Sequence, residues 1–213
     1  MLDVTTIPAT GGMAAYRIED IDPVLASGHF ASAVSEPAEQ IYRFGLFTPA
    51  FCRFLIETAE ARDDWRTRAD VLDHPYAQDD SCKSYCFPDT TVHLERLGLA
   101  ELYEQVVRRH LEPLIGHLWP VFRMQKINPP YVMRYEPGAV RGMAAHYDLE
   151  TIALVVYLNE RYEGGGTRFP RWNYETGKPP VGTAIMFPGG LSHVHEGLPI
   201  ASGTRYLMCG AFY

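Results

Sequence analysis

Two imidazoles and one carboxylate in the second half of the chain have the types and spacing of a metal site. His146 and Asp148 are two positions apart, and His195 follows much later. On a β-strand, residues two apart point to the same face, so His146 and Asp148 can face one ion. Two histidines and one carboxylate are the ligand set of non-haem Fe(II) oxygenases, which leaves coordination positions open. The pattern therefore predicts an Fe(II) site whose third ligand comes from a neighbouring strand.

An arginine lies where it can bind an organic acid near this metal. Arg205 follows His195 by ten positions (205 − 195), which is long enough for a strand to turn and come back. A guanidinium grips a carboxylate with two parallel hydrogen bonds. A metal with open positions and a carboxylate anchor together predict an oxygenase that uses Fe(II), 2-oxoglutarate and O₂.

Other histidines compete for the ligand positions. His193 lies two positions before His195, so on a strand both would share a face, and the spacing leaves the choice between them open. A second His-x-acid pattern occurs at His93 and Glu95. It falls at the start of a predicted helical segment, and no later residue completes a metal-ligand set with it, so we interpret it as structural.

Four motifs make the chain resemble a known family. They are YVMRYEPG from Tyr131, AAHYDLET from Ala144, YLNERYEGGGTRF from Tyr157 and HVHEGLPIASGTRYL from His193. These segments resemble the catalytic domain of the procollagen lysyl hydroxylases, within the prolyl and lysyl hydroxylase group of 2-oxoglutarate oxygenases. Weaker similarity continues upstream to about residue 41. The resemblance is to the catalytic domain and does not include the glycosyltransferase-type domains of the animal enzymes, so it assigns the chemistry and not collagen as the substrate.

The resemblance assigns roles to single residues. The HEGLP and GTRY segments make His195, rather than His193, the third ligand, and Arg205 the 2-oxoglutarate anchor. Tyr135 and Tyr157 lie on adjoining strands, where either phenol can bind a co-substrate carboxylate or fill the core. The resemblance favours Tyr157, in the YLN motif. It also implies hydroxylation of an amino-acid side chain (free, in a peptide or carrier-bound) with release of succinate and CO₂, ascorbate as a reductant, and a homodimer.

Composition limits the classes of partner. The net charge of −7, with 46% hydrophobic and 21% charged residues, is typical of a globular protein and disfavours both nucleic-acid phosphates and acidic membrane surfaces. No signal peptide or membrane span is apparent, so a cytoplasmic location is expected. A tailoring oxygenase acting on another small molecule is the alternative function. A non-catalytic metal-binding jelly roll of the cupin type is disfavoured, because it has no need of Arg205.

The cysteine pattern predicts free thiols. Cys82 and Cys86 have a C-x₃-C spacing, which is not the usual spacing of a zinc or redox motif. Cys52 falls in an amphipathic helix and Cys209 in a strand, where burial is expected. Reduced thiols agree with the expected cytoplasmic location and with an Fe(II) enzyme.

The order of elements predicts helices first and strands after. Thr48 and Pro49 are a cap and a first helical residue, followed by an apolar stripe that includes Phe54. A second helical segment covers residues 99–118, with Pro113 expected to kink or split it. Strands are predicted at residues 132–135, 151–158, 167–169, 184–187 and 204–212. We therefore predict one mainly β domain over residues 1–213 with a double-stranded β-helix (jelly-roll) core: an extension (1–40), helical support (41–121) and the jelly roll (122–213).

Overall fold

Antiparallel strands dominate residues 16–65 and 90–213, the part of the chain that the computed structural model describes. The strands are β1 (Val34–Ala38), β2 (Ile41–Gly45), β3 (Thr91–His93), β4 (Tyr131–Tyr135), β5 (Met143–His146), β6 (Ile152–Tyr157), β7 (Tyr162–Gly164), β8 (Thr167–Phe169), β9 (Tyr174–Glu175), β10 (Thr183–Pro188), β11 (His195–Gly197), β12 (Ile200–Gly203) and β13 (Arg205–Phe212). The helices are α1 (Pro23–Ala26), α2 (Phe30–Ala33), α3 (Pro49–Arg62), α4 (Ala100–Val106) and α5 (Glu112–Leu118), with a π-helical turn at Val107–Leu111.

The strands form two facing layers. Seven strands make the major sheet in the order β1-β2-β10-β6-β13-β4-β3, four make a minor sheet in the order β5-β11-β8-β9, and β12 pairs with β7. Phe169 of the minor sheet meets Phe187 of the major sheet edge to face, with ring centroids 4.9 Å apart. An inner core between the layers follows from this contact, as in a double-stranded β-helix.

Side chains on the major sheet alternate between this inner core and an outer one. On β6, Ala153 and Tyr157 belong to the inner cluster, whereas Leu154 and Val156 belong to an outer cluster shared with the helices. The alternation is the period of two that an extended strand imposes. Helices α3, α4 and α5 bury their apolar faces against the outer side and leave the inner face of the sheet for the functional site.

Two strands, β2 and β3, lie in the segment predicted to be mainly helical support, which corrects the boundary at residue 122. β1 falls in the predicted extension, where a short strand or helix was expected. β2 pairs with β10, where Phe44 lies opposite Ala184, and Thr91 of β3 lies opposite Met133 of β4. These short strands are stabilised by partners distant in sequence, so local periodicity was a weak signal for them.

Helix α3 begins where the sequence predicts. The Thr48 hydroxyl accepts a hydrogen bond from the Phe51 amide at 3.4 Å, and Pro49 occupies the first helical turn. Leu55 is buried, but Phe54 is 38% exposed, so including Phe54 in the buried stripe was wrong.

The second predicted helical segment is split as expected near its proline. Residues 107–111 form the π-helical turn between α4 and α5, in which the Glu112 amide donates to the Val107 carbonyl, five residues back. Pro113 has no amide hydrogen to donate, which favours a local departure from the α-helical ladder.

Of the four cysteines, Cys52 in α3 and Cys209 in β13 are free thiols, as predicted. Cys82 and Cys86 lie outside the described residues, so the prediction for them is untested. Among the described residues, no helix has both the length and the apolar character needed to cross a bilayer.

One glycine should be critical for stability. Gly182 has φ +85°, and a Cβ added there would lie 1.9 Å from the Phe47 carbonyl oxygen, which is backbone and cannot move aside. Gly182→Ala is expected to lower the free energy of unfolding by roughly 2–4 kcal/mol, because strain and a clash add. Chemical denaturation measures the loss. The matched control is Gly116→Ala in helix α5, where an added Cβ meets nothing within 4 Å; stability there should be equal or higher. Equal stability of the two variants would contradict the expectation.

Candidate functional site

Three predicted ligands converge at one end of the minor sheet. β5 and β11 are antiparallel neighbours, and their pairing sets His195 directly opposite His146. The Nε2 atoms of His146 and His195 lie 3.7 and 3.8 Å from the two Asp148 carboxylate oxygens. One ligand atom from each of the three residues lies within 4.8 Å of the others, close enough for all three to hold a single ion.

The His-x-Asp element is not entirely a strand. β5 ends at His146, and Asp148 lies in the turn that follows, where its carbonyl accepts a hydrogen bond from the Gly190 amide at 2.7 Å. The strand that was predicted to carry both ligands therefore includes His146 but not Asp148. Tertiary contact with the loop before His195, rather than strand alternation, brings the carboxylate to the histidines.

Hydrogen bonds orient both imidazoles for metal binding. The Nδ1 of His146 lies 2.7 Å from the Ala144 carbonyl oxygen, and the Nδ1 of His195 lies 3.0 Å from the His193 carbonyl oxygen. A carbonyl only accepts, so each Nδ1 carries the hydrogen and each Nε2 presents a lone pair. This is the arrangement that metal-binding histidines adopt.

Burial also sets the charge of the site. It lowers the pKa of His195 to about 3, with a further contribution from the nearby His146, so the ring is neutral at neutral pH. Burial raises the pKa of the Asp148 carboxyl above its ordinary value, and His146 opposes that shift. Neutral imidazoles are the form that binds metals. A bound cation would favour the ionised form of Asp148.

Both ring nitrogens of His193 contact protein groups other than the ligand cluster. Its Nδ1 lies 2.9 Å from the Ser192 hydroxyl, its Nε2 lies 3.3 Å from the Glu39 carbonyl oxygen, and its ring packs against Trp172. The other competing pattern, His93 and Glu95, is not part of the ligand cluster. His93 ends strand β3, rather than starting a helix, and its ring meets Tyr131 edge to face.

Arg205, at the start of β13, is fully buried. Its Nη1 donates to the Gly166 carbonyl at 3.1 Å, while Nε and Nη2 have no hydrogen-bond partner in the described part of the chain. No ion pair joins it to an acid among residues 16–65 and 90–213. A buried cation without a counter-charge is unfavourable, so the site is suited to an anion.

The tyrosine predicted to assist Arg205 has other partners. The Tyr157 hydroxyl lies between the hydroxyls of Thr167 and Thr176, at 2.9 and 2.8 Å. Tyr135 lies opposite Arg205 in the strand pairing, and its ring centre is 5.6 Å from the guanidinium carbon. The structure therefore places both tyrosines around Arg205 but commits the Tyr157 hydroxyl to protein contacts.

One cavity of about 110 Å³ contains the three ligands and the anchor. β13 lines it along most of the strand, from Arg205 to Ala211, mainly through every second residue. At the rise of an extended strand these two are roughly 20 Å apart. Cys209 lies between them, close enough to Asp148 that the carboxylate, second to burial, raises the pKa of the thiol to about 12. We call this elongated cavity the trough. The ligand cluster lies between its Arg205 end and its far end, at Ala211.

Sequence reasoning missed the far end of this trough. Asn128 and Glu150 line it, and the Asn128 side-chain amide donates to a Glu150 carboxylate oxygen at 2.5 Å. Glu150 continues the every-second-residue spacing of His146 and Asp148, which was the available signal. Tyr162, in the glycine-rich motif beside Arg205, was also missed. Its hydroxyl is buried and has no hydrogen-bond partner within the described residues.

Comparison with curated proteins gives relatives over most of the chain. The rat multifunctional procollagen lysine hydroxylase and glycosyltransferase LH3 is 32% identical over 182 residues, which cover 82% of this chain and 24% of the relative. Rat procollagen-lysine,2-oxoglutarate 5-dioxygenase 1 is 30% identical over 181 residues, with the same coverage of both proteins. The chain thus spans about a quarter of the length of these relatives. No family model matches the chain.

Solved structures support the fold. A viral collagen prolyl hydroxylase from Paramecium bursaria Chlorella virus-1, in complex with 2-oxoglutarate, has a TM-score of 0.58 at 18% identity and covers 82% of this chain and 96% of its own. A Trichoplax adhaerens prolyl hydroxylase in complex with a hypoxia-inducible-factor peptide has a TM-score of 0.59 at 10% identity, covering 83% and 84%. The resemblance and the mainly β jelly-roll fold predicted from the sequence are both confirmed.

Proposed function

We propose that this relative of the procollagen lysine hydroxylases is an Fe(II)- and 2-oxoglutarate-dependent dioxygenase that hydroxylates an amino-acid side chain. One observation carries the proposal: the ligand cluster and the unpaired Arg205 line the same cavity. The reaction combines a C–H bond, 2-oxoglutarate and O₂ to give C–OH, succinate and CO₂. Its relatives carry the same activity in their names.

The donor set fits Fe(II). His146 and His195 would supply two Nε2 lone pairs and Asp148 one carboxylate oxygen, which leaves positions for exchangeable ligands. Fe(II) together with 2-oxoglutarate would supply the oxidising power for O₂-dependent hydroxylation. The carbonyls of Ala144 and His193 hold the two rings in the binding tautomer, so binding requires no ring rotation.

The protein's own residues position the co-substrate and exclude water. Arg205 would bind the distal carboxylate of 2-oxoglutarate through its two unpaired nitrogens. Met133, Val155 and Leu207 give the cavity apolar walls on that side. Because these walls lower the local polarity, the attraction between Arg205 and the carboxylate is stronger than it would be in water. A non-catalytic metal-binding jelly roll would not need this anchor.

A cationic side chain is the substrate group that the far end of the trough favours. The ionisable groups of the cavity wall include Asp148, Glu150 and Arg205. With Asp148 on the metal and Arg205 on the co-substrate, the Glu150 charge is left for the substrate. The relatives named above act on procollagen lysine, whereas the structural neighbours are prolyl hydroxylases. Glu150 supports a lysine-like side chain over the uncharged proline, the second candidate.

Glu150→Gln tests this preference, because glutamine can still accept the Asn128 hydrogen bond but carries no charge. The KM for a lysine-containing peptide is expected to rise roughly tenfold, as for one hydrogen bond to a charged group. Turnover of a proline-containing peptide, if there is any, should not change. An unaltered KM for the lysine peptide would favour the prolyl candidate.

The whole activity can be tested by reconstitution. The protein is loaded with Fe(II) and 2-oxoglutarate without oxygen, then exposed to O₂ with a panel of free amino acids and lysine- or proline-containing peptides. Succinate release together with a product heavier by one oxygen atom is expected for one member of the panel. Succinate without any heavier product across amino acids and peptides would favour a tailoring oxygenase with another small-molecule substrate. A homodimer, ascorbate as reductant and a cytoplasmic location stay predictions.

A further inference from the structure

Unpartnered polar atoms gather beside Arg205. Of the buried side-chain nitrogen and oxygen atoms without a hydrogen-bond partner in the described part of the chain, three belong to two residues: Arg205 Nε, Arg205 Nη2 and the Tyr162 hydroxyl. Arg205 is 0% and Tyr162 3% exposed, and the guanidinium carbon lies 5.9 Å from the Tyr162 ring centre. A buried polar atom without a partner costs about 1–3 kcal/mol. Three together indicate a place prepared for a ligand.

The glycine turn holds this group in place. Gly164, Gly165 and Gly166 all have positive φ, and the Gly166 carbonyl takes the Nη1 hydrogen of Arg205. A Cβ on Gly165 would lie 3.3 Å from the Arg205 Cδ and 3.2 Å from the Tyr162 ring. The turn therefore packs against both side chains. With Nη1 committed to the turn, the edge formed by Nε and Nη2 is left as a two-pronged donor for a carboxylate.

Of the hydroxyls near Arg205, those of Tyr157 and Thr204 are committed to other contacts, whereas the Tyr135 hydroxyl lies on the cavity wall next to Gly197. Tyr157 bonds to two threonines, and the Thr204 hydroxyl lies 3.4 Å from a carboxylate oxygen of Glu136. Tyr162 differs because its ring is fixed by packing and, among the described residues, its hydroxyl interacts only with the Arg205 guanidinium. Burial raises the pKa of the Tyr162 phenol, and the neighbouring guanidinium opposes that shift. An oxygen that accepts from Arg205 keeps its own hydrogen free to donate. A phenol hydroxyl can donate to a carboxylate oxygen that Arg205 already holds.

We propose that Tyr162 is a positioning residue whose hydroxyl donates a third hydrogen bond to the distal carboxylate of the co-substrate, and that this contact selects the co-substrate by length. The inference rests on the proposed function. Three donors on packed side chains determine where the carboxylate lies relative to the ligand cluster. A 2-oxo diacid longer or shorter than 2-oxoglutarate cannot satisfy the donors and the metal together, and buried donors left unpaired penalise it.

Tyr162→Phe tests the proposal by removing one oxygen atom. Binding is measured by calorimetry on the Mn(II)-loaded protein under nitrogen, so that no turnover is needed. The Kd for 2-oxoglutarate is expected to rise roughly 10- to 100-fold, as for loss of a hydrogen bond to a charged group. The Kd for pyruvate, which has no distal carboxylate, should stay the same. Preference for 2-oxoglutarate over 2-oxoadipate should also fall.

A stability measurement separates positioning from structure. Without ligand, Tyr162→Phe should melt at about the same temperature, because the hydroxyl it removes has no partner among the described residues other than the Arg205 side chain. Tyr157→Phe is the matched comparison: it breaks the contacts to Thr167 and Thr176, so it should melt lower and weaken 2-oxoglutarate binding less.

Unchanged 2-oxoglutarate affinity in Tyr162→Phe would overturn the assignment of Tyr162 while leaving the proposed function intact. An equal loss of pyruvate affinity, or a lower melting temperature without ligand, would also overturn it, because either points to a structural role. Wild-type protein that binds Mn(II) but no 2-oxoglutarate would overturn the proposed function as well.

Discussion

Replacing His146, Asp148 or His195 with alanine is expected to abolish turnover and weaken Fe(II) binding. The cluster offers one ligand atom from each residue, so loss of any one leaves two protein ligands, with no further member of the cluster among residues 16–65 and 90–213. The loss of metal affinity should exceed the roughly 10- to 100-fold that removal of a hydrogen-bond partner behind a ligand costs. Anaerobic titration with Fe(II), read by calorimetry, measures the affinity, and succinate release measures the turnover.

His193→Ala is the control for this series. It removes a nearby imidazole whose two nitrogens already contact Ser192 and Glu39. Substantial activity and near-normal Fe(II) affinity are expected, with some loss of stability from the missing contacts. Full activity in His195→Ala combined with inactive His193→Ala would overturn the choice of the third ligand.

Replacing Arg205 should affect the co-substrate and not the metal. Arg205→Ala is expected to cost about 2–5 kcal/mol of 2-oxoglutarate binding, the range found when one side of a buried charge pair is truncated. Arg205→Lys keeps the charge but loses the two-pronged geometry, so its KM for 2-oxoglutarate should rise less. Fe(II) affinity without co-substrate should barely change in either variant, because Arg205 is not among the clustered ligands.

Arg205→Met separates binding from folding. Methionine fills a similar volume without charge, and the arginine has no acid partner in the described residues, so ligand-free stability should be equal or higher. 2-Oxoglutarate binding should be lost as in Arg205→Ala. A KM for 2-oxoglutarate that is unaltered in all three variants would falsify the co-substrate assignment and favour a non-catalytic metal-binding protein.

The sequence by itself determined the features that depend on near neighbours and on residue type. Thr48 and Pro49 begin a helix because their capping chemistry is local. The predicted strand at residues 151–158 contains β6, because this short apolar run includes the β-branched Ile152, Val155 and Val156, which favour strands. The chemical types of His146, Asp148 and His195 indicate a metal before any geometry is known.

Only the tertiary structure decided which groups face each other. His193 and His195 are equivalent by strand spacing, but contacts of His193 with Ser192 and with Glu39, distant in sequence, separate them. Tyr157 and Tyr162 are both buried phenols. Two threonine hydroxyls engage the Tyr157 hydroxyl, whereas in the described part of the chain the Tyr162 hydroxyl interacts only with Arg205. Hydrogen-bond partners and burial are set by residues far apart in the chain. Residue type shows whether a side chain can bind a metal or a carboxylate, and packing determines which of these side chains is available to a ligand.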